Sequence, residues 1–190
     1  AEIQVVIIPI LFEESKNKVL KKANEVKNLL KNYHTHLDSR SEYSAGWKFN
    51  EYELKGIPIR LEIGPKDITK NRVVLVRRDT LKKEFVKIKA LNKKIEKTLQ
   101  DIHDKLYNKA KKFLKNSIIN VKNTNDMKKV VNSGKIAKMN WCLGVKCEEM
   151  IKDKTDGAKS INISLTEKAS GKCFICGNKA FGVAFFAKSY

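Results

Sequence analysis

The sequence predicts an α/β fold followed by a smaller α+β domain. We expect a five-stranded mixed sheet with flanking helices over residues 1–105 and the smaller domain over residues 106–190. Three observations predict this division: a strand–helix–strand pattern at the start, a long amphipathic helix at about residues 88–116 that bridges the two parts, and a clustering of all cysteines in the last 49 residues. A chain of 190 residues is long enough for one ordinary domain and a small second one.

The first segment has the pattern of a β-α-β unit. Residues 4–10 form a continuous run rich in β-branched apolar residues, which is typical of a strand buried on both faces. In the segment that follows, apolar residues from Val19 to Leu30 recur on one helical face and lysines and asparagines fill the other. Residues 34–38 then fit a second strand. This order predicts a parallel pair of strands with helices packed against the sheet.

Three further strands complete the predicted sheet. Residues 57–63 alternate apolar and polar side chains, which predicts a half-exposed strand. Residues 64–68 have turn chemistry, with a proline suited to the first position of a short helix. Residues 72–77 and, more weakly, residues 84–88 predict the last two strands.

An aromatic-rich segment, residues 44–56, separates the second and third strands. Within it, Trp47 and Tyr52 are more simply explained as core residues than as ligand contacts, and we expect both to be buried.

The long helix begins near Ile88 and has a single apolar seam of about 26 residues, spaced by three and four. Its seam comprises Ile88, Leu91, Ile95, Leu99, Ile102, Leu106, Ala110 and Phe113. A coiled coil has a similar pattern. Beside a sheet, however, we expect the seam to pack on that sheet.

Two cysteine pairs predict a metal site in the second domain. The four candidate ligands are Cys142, Cys147, Cys173 and Cys176. Four thiolates suit a structural Zn²⁺ and leave no position for a catalytic water; unmetallated cysteines are the alternative. Gly144 and Gly177 lie where tight turns are expected to need positive φ. Because no secretory signal is visible, a reducing, cytoplasmic environment is expected.

The composition permits polyanion binding. Lysine and arginine total 40 against 21 acidic residues, giving a net charge of +19. The excess is spread along the chain and consists mostly of lysine, so a biased codon usage explains it equally well. No apolar run is long enough to span a bilayer, and no phosphate-binding or nucleophile motif is visible. Neither a membrane nor a catalytic role of this segment is therefore expected.

Specific motifs lie between residues 46 and 80. Gly-Trp-Lys-Phe-Asn-Glu begins at Gly46, Gly-Pro-Lys-Asp begins at Gly64, and Arg-Arg-Asp-Thr begins at Arg77. Together they resemble prolyl-tRNA synthetases of the archaeal and eukaryotic type, which some bacteria also carry. The resemblance covers essentially the whole chain: the family has a C-terminal domain with four cysteines in this order and usually ends Gly-Arg-Ser-Tyr, where this chain ends Ala-Lys-Ser-Tyr.

The resemblance implies a class IIa anticodon-binding fold followed by a zinc-binding domain. It implies that the whole enzyme, a class II cytoplasmic homodimer, activates proline with ATP and Mg²⁺ in a catalytic core that these residues do not include. The implied partners are the anticodon stem-loop of proline tRNA and the catalytic domain of the same polypeptide, with no membrane and no DNA. The terminal Tyr190 is implied to lie near the active site of the whole enzyme.

The resemblance also implies which residues contact the anticodon. Proline codons begin with CC, so the anticodon carries two guanines, whose edges offer hydrogen-bond donors and a carbonyl and whose rings can stack. Carboxylates accept from those donors, lysine donates to the carbonyl, and an aromatic ring stacks on the base. The implied contacts are Phe49, Glu53, Lys66, Asp67, and Lys82 or Lys83.

Two other functions remain open at this level. One is a free-standing, non-catalytic RNA-binding module with the same anticodon-binding type of fold. The other is a zinc-stabilised interaction domain whose positive charge reflects only codon bias.

Overall fold

A computed structural model describes residues 1–188, and the chain divides into two units, residues 1–107 and residues 108–190. The expectation for Tyr190 therefore lies outside the described residues. Across residues 1–188, none of the helices combines the length and the apolarity that crossing a bilayer requires.

The first unit contains the predicted five-stranded mixed sheet. Strand β1 lies between two parallel neighbours, β2 and β3, and the antiparallel strands β4 and β5 complete the order β2-β1-β3-β4-β5. The strands are β1 (Val5–Pro9), β2 (Thr35–Leu37), β3 (Ile59–Ile63), β4 (Arg72–Arg77) and β5 (Lys83–Lys87).

The local sequence explains where two of the helices begin. The Oγ atom of Ser44 accepts a hydrogen bond from the backbone of Trp47 and caps the second helix, and Pro65 occupies the first position of the third. Short 3₁₀ turns, Glu13–Ser15 and Ile88–Ala90, precede the first and fourth helices. The helices are α1 (Lys16–Leu29), α2 (Ala45–Leu54), α3 (Pro65–Thr69) and α4 (Leu91–Ser117).

The two faces of this sheet are covered unequally. One face carries the main core, in which alternate strand residues such as Leu61 and Leu75 pack with α1 and the first half of α4. The other face is covered by α2, where Tyr52 packs against Val6 and Ile8 of β1. Because side chains alternate along a strand, the second face of β3, β4 and β5 carries the remaining residues of those strands.

Two sequence-based expectations in this unit were wrong. All five residues of β3 are buried, because the strand is central in the sheet and its charged residues form ion pairs. Trp47 is 45% exposed, stacked on Tyr43, because the buried face of α2 is formed by Lys48 and Tyr52. The burial expected for Tyr52 is confirmed.

The apolar seam of α4 packs on the sheet only over its first half. Leu91, Ile95 and Ile102 are buried in the main core. Leu106 is 50% exposed and Phe113 is 75% exposed. Periodicity therefore predicted the helix correctly, but it overestimated how much of the seam is buried.

The second unit is built on a four-stranded sheet in the order β6-β7-β9-β8. Strand β6 is parallel to β7, and the other pairs are antiparallel. Asn123 caps the first helix of this unit by accepting a hydrogen bond from Asp126 N at 2.8 Å. Its elements are β6 (Ile118–Asn120), α5 (Thr124–Asn132), β7 (Ile136–Trp141), α6 (Val145–Lys154), β8 (Ala158–Ile163) and β9 (Gly182–Lys188).

Candidate functional site

The face of β3, β4 and β5 opposite the main core is mostly charged, and α2 covers only part of it. Ile59, Leu61 and Ile63, like Val73, Leu75 and Val86, point into the main core, so the residues between them point to the opposite face. The strand register aligns these residues in rows across the sheet. We call this surface the open face; its rows are Arg60–Val76–Lys83, Glu62–Val74–Phe85 and Arg72–Lys87.

One end of the open face adjoins α2 and forms a compact set of charges around an aromatic ring. The guanidinium carbon of Arg60 lies 4.1 Å from the ring centroid of Phe49. Arg60 donates to Glu53 at 2.5 Å and to Glu62 at 3.1 Å, and Lys83 donates to Glu62 at 3.4 Å. The Nζ atom of Lys83 is 5.8 Å from the same ring. We call these five residues the Phe49 cluster.

The Phe49 cluster presents both a hydrogen-bond acceptor and a donor to solvent. Arg60 and Glu62 are buried and neutralise each other. The side chain of Glu53 is 33% exposed and that of Lys83 is 58% exposed. A carboxylate, an ammonium group and a half-buried ring at one place complement the donors, the carbonyl and the face of a guanine.

The structure brings together three of the six residues predicted to contact an anticodon: Phe49, Glu53 and Lys83. Lys82 lies in the turn before β5, where its carbonyl accepts from Arg77 N and its own N–H approaches a threonine hydroxyl. Lys66 is exposed on α3. Arg60 also belongs to this group and was not among the predicted residues, although a charged residue at an alternate position of an apolar strand is a signal for it.

Asp67 is buried, and both of its oxygens are occupied within the first unit. Its Oδ2 atom accepts from Gly64 N at 3.3 Å, and its Oδ1 atom accepts from Arg72 Nε at 3.1 Å. The guanidinium of Arg72 lies 3.6 Å from the ring centroid of Phe85, which is 62% exposed. A direct base contact was expected for Asp67, whereas its contacts connect it to the open face through Arg72.

A buried ionic network fixes α2 at the carboxyl end of β2. Asp38 accepts from Arg40 and from the Tyr52 hydroxyl, and Lys48 Nζ lies 3.4 Å from it. Burial opposes ionisation of Asp38, but the hydrogen bonds from Arg40 and the charge of Lys48 hold its pKa well below the usual range. Burial and the charge of Asp38 raise the pKa of Tyr52 to about 12. The network therefore anchors the helix that carries Phe49.

The second unit brings all four cysteines together. Their sulfur atoms lie within 4.8 Å of one another, with 3.5 Å between Cys142 and Cys147 and 3.8 Å between Cys142 and Cys176. Four thiolates at about 2.3 Å from a tetrahedral ion lie about 3.8 Å apart. The donor set and its spacing therefore fit one metal ion, with no ligand position left open.

The cysteines differ in their ionisation because their surroundings differ. Burial raises the pKa of Cys147 to about 12. Burial also opposes ionisation of Cys173, but backbone hydrogen bonds from Cys176 and Ile175 outweigh it and lower the pKa of Cys173 to about 7. A metal must therefore displace protons from at least part of this set when it binds near neutral pH.

The turns around the cysteines differ in part from expectation. Gly177 has the expected positive φ, 73°. Gly144 does not: its φ is −84°, and the left-handed residue is Leu143, with a φ of 63°. A side chain at position 144 would place its Cβ 3.3 Å from the sulfur of Cys142, so close approach to that sulfur explains the glycine.

Comparison with known proteins gives matches in both units. Residues 4–98 match the family described as "Anticodon binding domain". Residues 124–190 match the family described as "Prolyl-tRNA synthetase, C-terminal".

Similar proteins from bacteria and an archaeon align with the whole chain or nearly so. A Bacillus cereus protein named "Proline--tRNA ligase 2" is 41% identical over 191 residues, covering 100% of this chain and 40% of its own length. Proteins named "Proline--tRNA ligase" from Thermofilum pendens and Natranaerobius thermophilus are 38% and 39% identical, covering 100% and 98% of this chain and 40% and 39% of their own lengths. The chain thus spans about 40% of the length of these curated relatives.

Proposed function

We propose that the first unit binds the anticodon stem-loop of proline tRNA, because the chain belongs to the prolyl-tRNA synthetase family. It corresponds to the C-terminal part of these enzymes and includes an anticodon-binding domain. The observation that carries this proposal is the Phe49 cluster on the open face. It combines a ring, a partly exposed carboxylate and an exposed ammonium group, connected to one another through Arg60 and Glu62.

In this proposal the cluster reads guanine through its Watson–Crick edge. Glu53 accepts from the ring N–H and the amino group, and Lys83 donates to the carbonyl oxygen. Phe49 stacks on the base. Arg60 holds Glu53 in place through its 2.5 Å hydrogen bond. Lys66, exposed on α3, supplies a further positive charge for the RNA backbone or a base.

We also propose that the four cysteines bind one Zn²⁺ with a structural role. Tetrahedral coordination by four thiolates is the arrangement of closed zinc sites, in which no position is open for a water molecule. The ion would join β7, α6 and the segment before β9, since Cys142 follows β7 and Cys147 lies in α6.

The remaining functions of the whole protein are assigned to residues outside this chain. We propose that they activate proline with ATP and Mg²⁺, form a homodimer and operate in the cytoplasm, with this segment supplying recognition of tRNA. This division accords with the 40% coverage of the relatives and with the lack of a visible nucleotide-binding motif in the sequence.

The test compares the binding of proline tRNA with that of a variant whose two anticodon guanines are replaced by adenines. Glu53→Gln removes an acceptor and places an amide group against guanine donors. We expect this change to weaken binding of proline tRNA by roughly ten- to hundred-fold while leaving the slope of affinity against salt concentration nearly unchanged, because no positive charge is lost. Binding of the adenine variant should barely change.

Glu25→Gln is the matched control, since Glu25 also pairs with a basic residue, Lys22 at 2.7 Å, but lies on α1. It should leave both affinities unchanged. If the unmodified chain does not distinguish the two tRNAs, the proposal is wrong, and an RNA-binding module without guanine specificity explains the open face better.

A further inference from the structure

An exposed aromatic side chain lies on the open face beyond the Phe49 cluster. Phe85 is 62% exposed in the middle of β5, between Lys83 and Lys87 on the same face. An exposed ring on a basic strand has no core to pack in. Aromatic rings in such basic surroundings are the usual platforms for unpaired nucleic-acid bases.

Arg72 contacts one face of the Phe85 ring. The guanidinium of Arg72 lies 3.6 Å from the ring centroid and is held by Asp67, which itself accepts from Gly64 N. Hydrogen bonds therefore connect Arg72, through Asp67, to the backbone at the start of α3 and fix its position against the ring. With Arg72 on one face of a largely exposed ring, the opposite face is open to a planar ligand.

The spacing from the Phe49 cluster suits a neighbouring nucleotide. Phe85 is two residues from Lys83 along one strand, which is about 6.8 Å. Lys83 belongs to the cluster proposed to read a guanine. A base bound on Phe85 would thus be adjacent to the guanines, within reach of consecutive nucleotides in an unpaired loop.

We propose that Phe85 is a stacking platform for the first anticodon nucleotide of proline tRNA, with Arg72 and Asp67 as positioning residues. This inference rests on the proposed anticodon binding. Proline codons differ from one another only in their third base, so the first anticodon nucleotide varies among proline tRNAs. A ring that contacts the face of a base accepts any of the four bases, because every base has a π-face.

The experiment places the fluorescent base 2-aminopurine at the first anticodon position of a proline anticodon stem-loop and titrates it with the 190-residue chain. Stacking on an aromatic ring changes the emission of this base. We expect Phe85→Ala to abolish that change and to weaken binding about ten-fold, irrespective of the base at this position. Phe85→Trp should preserve both. Preference for the two guanines should persist in both variants.

Phe181→Ala is the matched control, because Phe181 is 66% exposed and has Lys179 near its ring at 5.9 Å, but it lies in the second unit. It should leave emission and affinity unchanged. If the emission change persists in Phe85→Ala, or if it appears only when the probe is placed on the 3′ side of the guanines, the assignment is overturned.

The variant Asp67→Asn tests whether Asp67 only positions Arg72 or contacts a guanine directly. If Asp67 acts through Arg72, this variant lowers affinity and the emission change in the same way as Phe85→Ala, keeps the preference for guanine, and adds nothing in a Phe85→Ala background. Loss of guanine preference in Asp67→Asn would instead identify a direct reader and overturn the positioning role.

Two separate measurements test the stacking platform and the proposed anticodon binding. Guanine preference of the unmodified chain tests anticodon reading and does not depend on the probe. The emission change and its loss in Phe85→Ala test the platform alone. A chain that prefers guanine but gives the same emission change with and without Phe85 retains the proposed function and loses the platform.

Discussion

The two units differ in what holds them together. In the first unit, isoleucine, leucine and valine side chains fill the space between the sheet and the helices α1 and α4. The core of the second unit is smaller and includes several alanines and two of the predicted metal ligands, Cys147 and Cys173. Small domains often lack enough apolar surface to fold without a metal or disulfides. This difference predicts that loss of a metal from the four cysteines would destabilise the second unit and leave the first unit unchanged.

Metal removal should therefore have the largest effect and should be confined to the second unit. Structural zinc sites contribute on the order of 10 kcal/mol of apparent binding free energy, so chelation or Cys173→Ser with Cys176→Ser should unfold or loosen residues 142–176. Hydrogen exchange should rise there while the amides of β1 and β3 remain protected. Metal analysis should find about one zinc per chain before the change and none after it.

Equal loss of protection in both units would contradict this contrast, as would a metal-free chain of undiminished stability. The matched control is Ser133→Ala, an exposed serine of the same unit that is not a ligand, and it should leave the metal content unchanged.

Within the first unit, the ionic network under α2 should be the next most sensitive feature. Asp38→Asn removes the charge that pairs with buried Lys48 and with Arg40, and breaking a buried ion pair costs about 3–5 kcal/mol. The free energy of unfolding should fall by that order, and the metal content of the second unit should not change. Glu84→Gln, which loosens the partly exposed pair with Lys94, should cost less than about 1 kcal/mol.

The same network predicts how stability depends on pH. Because the pKa of Asp38 is lowered on folding, its stabilisation is fully present above the unfolded value near 4 and is lost as the pH falls below it. The pKa of Tyr52 is raised to about 12, so its stabilisation is present below pH of about 10 and is lost as the pH rises towards 12. Unfolding monitored against pH should show both losses, and Tyr52→Phe should remove the alkaline one.

The smallest expected effect concerns the exposed half of α4. Phe113 is 75% exposed, so Phe113→Ser should change the free energy of unfolding by no more than about 0.5 kcal/mol. Ile95→Ala, on the same seam but fully buried in the first unit, should cost about 2–5 kcal/mol. Denaturant unfolding measures both. Similar costs for the two substitutions would mean that the seam is covered along its whole length.

Local pattern predicted the strands of the first unit and the long helix, but it missed α2 and predicted burial poorly. The alternation in β3 predicted a strand, but not that Arg60 and Glu62 are buried, because their burial depends on neighbouring strands and on α2. Likewise, residues 44–56 include the helix α2. Lys48 and Tyr52 of this helix contact Asp38, so Tyr52 faces the sheet and Trp47 does not. Trp47 was assigned to the core on residue type alone and lies outside it.

The sequence by itself determined the order of the five strands of the first unit, the long helix, the four-cysteine set and the membership of a family, because periodicity, ligand type and ordered motifs are local properties of the chain. Tertiary structure alone decided which charged residues meet. The register of β3, β4 and β5 places Lys83 in one row with Arg60 and brings Arg72 onto Phe85, and the packing of α2 adds Phe49 to that row. Register arises from the packing of whole strands against a common core, so no local pattern contains it.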